Sequence, residues 1–336
     1  MDVLNALVAF TNFVLLPAMT YGCQLALGAL GVTLVYGILR FSNFAHGDTM
    51  AFGTMATILM TWTLQAVGVS IAPLPVALLA LPVGVVATIL VVLATDRLVY
   101  RPYRMRKVHS ITLVMTSLGV MFVMGGLVRI FIGVDDRQFA DGARFIFTAA
   151  QFRQWTGLAE TMALRTTQVI TLATTVLVVG WLHWFLKRTR TGKSMRAFSD
   201  NENLALLSGI DPERVVRIVW ILSAALATLA GVLYGLDKSF RPITYFQLLL
   251  PVFAAAVVGG LGNPLGAVAG GFVVAFSEIV FTYSFKKVAT YLLPSGWQPE
   301  GLLQLLSTDY KVAVSFIVLV LVLLFRPTGI FRGRAA

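Results

Sequence analysis

Apolar residues fill this chain in long stretches that no charged side chain interrupts. Asp, Glu, Lys and Arg are all absent from Val3 to Leu39, Thr49 to Thr95, Val108 to Val128, Thr166 to Leu186, Ile218 to Leu236 and Pro242 to Ser277. A helix needs about 20 apolar residues to cross a hydrocarbon core. The Thr166–Leu186 run would extend roughly 30 Å at about 1.5 Å per residue, close to one such thickness. The Thr49–Thr95 run is too long for one crossing, and Gly68, Pro73 and Pro75 divide it into two helices and a turn. The pattern predicts an all-α polytopic membrane protein, one transmembrane unit over residues 1–336. Spans are expected near 14–38, 47–68, 74–98, 110–132, 166–186, 216–236, 246–261, 265–285 and 310–325, about eight to nine transmembrane helices. The short segment 246–261 and the one near 47–68 are the candidates for a broken or re-entrant span. Irregular backbone of that kind is tolerated only where protein or a water-filled cavity covers it.

Charge adds an orientation. The 336 residues hold 26 Lys and Arg against 15 Asp and Glu, a formal net charge of +11. Only 12% of residues are charged, against about 25% in a soluble domain. The cations cluster at helix ends: Arg97, Arg101, Arg104, Arg106 and Lys107 in one loop, Lys187 to Arg217 around another, and Arg326, Arg332 and Arg334 at the close. Such clustering is the positive-inside pattern and argues against nucleic acid as a partner. It predicts a cytoplasmic loop at about 187–214, a cytoplasmic C-terminus and an external N-terminus. Two external segments follow, about 133–165 and 286–309. The first carries Asp135, Asp136 and Asp141 and has room for short helices. The second holds "LLPSGWQPEGLLQLL", whose leucine-rich end suits an interfacial helix. Trp155, Tyr291, Trp297 and Tyr310 fall near the expected interfaces, where amphipathic rings settle. The N-terminal stretch has Asp2 and no basic lead, unlike a cleaved signal peptide. The single Cys23 leaves no internal disulfide or cysteine-based metal site.

Four polar features break the apolar pattern. In "RTRTGKSMRAF", Gly192-Lys193-Ser194 matches the tail of a phosphate-binding loop, but that motif needs a glycine where Lys187 stands and a strand before it. Past it, "SDNENLALLSGIDP" predicts a short helix over Asn201–Leu207. Asp200 or Asn201 caps it, Leu204, Leu206 and Leu207 give an apolar face, Gly209 suits its C-terminal end, and Asp211-Pro212 starts the next helix. "RFSNFAHGD" puts Asn43, His46 and Asp48 at the head of an apolar span. Polar and ionisable groups there are functional candidates, or else wet residues of an interfacial loop. Gly262, Gly266 and Gly270 recur at four-residue spacing, which lets helices approach closely. Asn263-Pro264 marks a turn beside them, and Glu278 lies deep in "FVVAFSEIVF". The three histidines, His46, His109 and His183, are far apart, and no catalytic constellation or metal-ligand set has a local signature.

"GALGVTLVYGILRFSNFAHGD", "RTGKSMRAFSDNENLALLSGI", "VVGGLGNPLGAVAGG" and "LLFRPTGIF", in that order, resemble the LivH-like permeases of branched-chain amino acid ABC importers. The resemblance runs from about Gly22 to Phe331. It implies a permease that encloses a solute path with a second, related permease. An external binding protein delivers a small amino acid to it, and two cytoplasmic ATPase subunits bind ATP, so that no cofactor belongs to this chain. It also implies a bacterial inner membrane location. The family's "A-x-x-x-G" falls on Ala205 and Gly209, which makes Asn201, Asn203, Leu204, Ala205, Leu207 and Gly209 the expected ATPase docking residues. Asn43, His46, Asp48 and Glu278 become the expected solute-path residues. Urea or a short amide is the alternative cargo. An ion-coupled transporter is the alternative class, though it calls for more charges within the spans.

Overall fold

The computed structural model describes residues 2–71, 74–139, 144–292, 301 and 303–331. Asp141, Trp297, Arg332, Arg334 and most of the stretch 293–302 lie outside the described residues. The described chain is helical nearly throughout. In order the elements are α1 (Asp2–Leu39), α2 (His46–Ala66), α3 (Ala77–Met105), α4 (Ser110–Ile132), β1 (Phe145–Phe147), α5 (Ala149–Thr156) and β2 (Leu164–Arg165). Then come α6 (Thr166–Arg188), α7 (Arg190–Asp200), α8 (Glu202–Leu207), α9 (Pro212–Asp237), α10 (Pro242–Gly259), α11 (Pro264–Thr282), α12 (Lys286–Leu292) and α13 (Lys311–Phe325). It is an all-α polytopic membrane protein. Eight of the described helices are long and apolar enough to cross a membrane: α1, α3, α4, α6, α9, α10, α11 and α13.

The one described helix of span length outside that set is α2, and its composition explains why. Thr54, Thr57 and Thr61 are wholly buried, and with Thr49 each donates its hydroxyl to the carbonyl four residues back at 2.7–2.8 Å. A threonine that bonds its own helix needs no external partner, so α2 can run through the protein interior without an apolar surface. α3, α4, α9 and α10 pack against it, and beside it α1, α9, α10 and α11 form the core. Leu25, Leu27, Leu30, Leu233, Tyr245 and Leu249 are its large buried side chains. α13 is the opposite case, with Val320, Leu324 and Phe325 open on its surface.

Two helices are longer than the spans expected for them, 14–38 and 74–98, and both carry the same device. α1 begins at Asp2 rather than near residue 14, and passes through a π-helical turn at Thr11–Leu15 just ahead of Pro17. α3 has the same device at Asp96–Tyr100, just ahead of Pro102. A proline lacks an N–H and clashes with the carbonyl four residues back. A widened turn removes the clash and lets the helix continue.

The glycine-rich turn divides its labour. Asn263 caps α11 by accepting from Gly266 N at 3.1 Å. A Cβ on Gly266 would collide with Gly259 O, and one on Gly270 with Ala255 O, so these glycines let α10 and α11 touch backbone to backbone. Gly262 does something else. It has φ +83° with nothing near a Cβ position, so its place is the turn, and Gly259 takes the close contact.

The leucine-rich stretch expected as an interfacial helix is not helical where it is described. Ser284 and Gln304 form a bridge, Phe285 N donates to Leu303 O at 3.2 Å and Leu306 N to Phe281 O at 3.0 Å. Gln304 Nε2 donates to Thr282 O at 2.6 Å. The stretch thus satisfies carbonyls at the end of α11 that a helix leaves open. Where it is described, the segment near 133–165 holds one short helix, α5, and the two-stranded pair β1–β2.

Candidate functional site

The core of the site is the lead-in to α2. Arg40 ends α1 in the left-handed region, φ +56°. Residues Phe41–Ala45 are not helical, yet Phe41, Asn43 and Ala45 are buried. The chain therefore turns back into the bundle instead of crossing water. His46 comes to lie against Gly31, where a Cβ would stand 2.6 Å from His46 Cε1. Gly31 is eight residues before Leu39, so the chain has returned roughly 12 Å along α1 before α2 starts. The two spans expected to be broken or re-entrant, near 47–68 and 246–261, are each an unbroken helix, α2 and α10, and the break lies ahead of the first, in the non-helical Phe41–Ala45.

Neighbours hold this segment at each residue. Asn43 Oδ1 accepts from Ala45 N and from the Tyr100 hydroxyl, both at 3.2 Å. Phe44 N donates to Ser117 Oγ at 3.1 Å, and its ring stacks on Phe253 at 5.3 Å. Gly47 lies against Tyr245 O and Leu249 of α10. The Asp48 carboxylate points at α4, where a Cβ on Gly125 would meet Oδ1 at 2.7 Å. One turn along α4, Arg129 acts on that carboxylate electrostatically. His46 is 1% exposed and its Nε2 has no hydrogen-bond partner. Asn43, His46 and Asp48 are therefore buried together, not wet residues of a surface loop.

Glu278 is elsewhere. It is 1% exposed, accepts from the Ser315 hydroxyl, and pairs with Lys311 at 3.6 Å. The Lys311 ammonium lies 4.1 Å over the Tyr21 ring. Tyr21 is ten residues from Gly31, roughly 15 Å along α1. Glu278 thus joins α1, α11 and α13 in a second polar cluster, apart from the first three residues.

A third cluster escaped the sequence reading. Asp96 is buried and accepts from Arg104 at 2.9 Å and from Trp220 Nε1 at 2.8 Å. Arg104 also reaches Glu213 at 3.2 Å, as does Arg101. Tyr100 stacks on Trp220 at 5.1 Å and bonds Asn43, so this cluster abuts the lead-in to α2. Its cations had been assigned only to orientation. The signal available was Asp96 at the border of an apolar run, two turns before Arg104.

The expected docking helix forms as α8, one residue shorter than drawn. Asn201 caps it, Oδ1 accepting from Leu204 N at 3.1 Å. Ala205 is buried, whereas Leu204 is 60% and Leu207 85% exposed. Gly209 has φ +78°. Ile210 N donates to Ala205 O at 3.1 Å and Gly209 N to Leu206 O at 3.0 Å, the two bonds of a Schellman end. Asp211 Oδ1 then caps α9 through Glu213 N at 2.9 Å. The basic stretch ahead is itself a helix, α7, which buries Met195 and Phe198. Lys193 lies within it and is exposed, so no phosphate-binding loop exists there. Among the described residues no three His, Cys, Asp or Glu side chains gather as a metal site.

Comparison with known proteins matches residues 14–323 to the family described as branched-chain amino acid transport system, permease component. The chain is 30% identical over 324 residues to the high-affinity branched-chain amino acid transport system permease proteins LivH of Salmonella typhimurium and of Escherichia coli K12. Each match covers 94% of this chain and 93% of the relative. The corresponding permease BraD of Pseudomonas aeruginosa is 28% identical, with 95% of both chains covered.

Proposed function

This chain belongs to the branched-chain amino acid permease family and is a permease subunit of an ABC importer, and we propose that its cargo is a branched-chain or similar small amino acid. The reaction is transport, with no bond made or broken on this chain. ATP is bound and hydrolysed by two partner subunits at the end that carries α7 and α8. A second, related permease completes the path, and a binding protein delivers the amino acid at the opposite end. The location is a bacterial inner membrane, with the N-terminus external and the C-terminus cytoplasmic.

The observation that carries the path assignment is the broken, buried start of α2. Discontinuous helices in transporters aim free backbone N–H groups at anionic parts of the solute. Here the start of α2 brings Asn43, His46 and Asp48 with it, and His46 Nε2 has no partner of its own. These residues form the gate or lining of the solute path, and Glu278 is a second polar station. The apolar run Leu204–Leu207 presses into the ATPase.

The test is uptake by cells that express this permease with its partner components. Labelled leucine, isoleucine or valine is expected to accumulate in an ATP-dependent way. Alanine at Asn43, His46 or Asp48 should lower uptake without loss of the assembled complex, and alanine at Glu278 is the fourth variant. Accumulation of urea or acetamide in place of leucine would reject the cargo. Uptake that survives without the ATPases and collapses with a protonophore would reject the importer mechanism.

A further inference from the structure

We propose that the cavity between α1, α6, α7 and the α10–α11 turn binds an anionic phospholipid. The cavity measures about 420 Å³, inside the roughly 300–1,000 Å³ of ligand sites. Its two sides differ in chemistry. Leu30, Leu34, Ile38, Val179, Leu182 and Leu186 make an apolar wall on two membrane-crossing helices. Lys187 and Arg196 stand at the rim with His183. Arg40 is adjacent and donates to Ser199 O at 2.8 Å. Asp200, the acid in the lining, already has an interaction of its own. A basic rim above an apolar wall fits an amphiphile with a negative head, the chemistry by which basic pockets between membrane helices hold lipid headgroups. A second observation marks the wall as a ligand surface. Thr33 lines it, is 1% exposed, and has an unpartnered Oγ1. A buried hydroxyl without a partner is costly, and the glycerol esters of a lipid supply an acceptor. The headgroup would touch α7, which leads directly into α8, so occupancy would brace the loop against α1 and α6.

The experiment uses the purified importer complex and native mass spectrometry with equimolar dioleoyl-phosphatidylglycerol and dioleoyl-phosphatidylcholine. Preferential retention of phosphatidylglycerol is expected. The double variant Lys187→Ala/Arg196→Ala should cut that preference about tenfold, since each cation near a lipid surface contributes measurably. Gly37→Leu should exclude both lipids. A Cβ there meets only Gly262 Cα and Ser199 Oγ, at an ordinary contact distance of 3.7 Å, and Gly37 lines the cavity. Gly126→Leu, with nothing within 4 Å, is the control expected to keep the preference. Equal retention of both lipids, or a preference untouched by the double variant, overturns the proposal. So does displacement of the lipid by excess leucine, which would assign the cavity to the solute path. If Gly37→Leu fails to assemble, the double variant at two exposed residues decides alone.

Discussion

Two polar interruptions of the apolar chain, 40–48 and 188–212, look alike as sequence and end in opposite surroundings. Each opens on an arginine, contains an asparagine that accepts from a following backbone N–H (Asn43 from Ala45, Asn201 from Leu204), and starts a helix. The first is pressed into the bundle by α1, α4 and α10 until His46 is sealed against Gly31. The second stays outside, with Leu207 85% exposed. The difference lies in the neighbours. Gly31, Gly47 and Gly125 are places where a missing side chain makes room for the first interruption. At Gly209 nothing stands within 4 Å, and glycine is there for its backbone angle. Sterics define one region and backbone conformation the other.

Gly31→Val should have the largest effect, because the new side chain must displace a buried histidine. Overpacking of this kind costs about 1–3 kcal/mol. Uptake should fall to background and the thermal unfolding temperature of the detergent-solubilised protein should drop. Unchanged uptake would show that His46 has room the geometry denies it. Gly209→Val ranks next. A β-branched residue at φ +78° is strained by about 1–3 kcal/mol, and the strain is local to α8. Membrane insertion should be normal, while co-purification of the ATPase and uptake fall together. A variant that keeps its ATPase but loses transport would separate docking from coupling. Asn201→Ala removes one cap, worth about 1 kcal/mol. A partial loss of uptake, rescued by Asn201→Ser or Asn201→Asp, is the expected result, and failure of both rescues would deny the cap its role. Lys193→Ala should change least. Uptake within error of the parent is expected, and loss of nucleotide binding by the permease would revive the phosphate-loop reading.

Much of this protein was decided by its linear pattern. Of the nine spans drawn from the apolar runs, eight fall on helices long and apolar enough to cross a membrane and the one near 47–68 does not, since a span in lipid requires a length and an absence of charge that sequence displays directly. Asn201, Gly209 and Asp211-Pro212 bounded α8 correctly because caps act within a few residues. Tertiary structure alone decided where the polar residues went. Nothing local says that Phe41–Ala45 fold inward, that Asp48 meets Gly125 of another helix, or that Glu278 joins Tyr21 and Lys311 rather than His46. Nor could spacing separate Gly262, a turn residue, from Gly266 and Gly270, which are contact residues. The extensions of α1 and α3 through their prolines depend on a widened turn that propensity alone reads as a break. Local order follows from bonds between residues three or four apart. The site follows from which distant helices leave space for one another, and that is settled only once they pack.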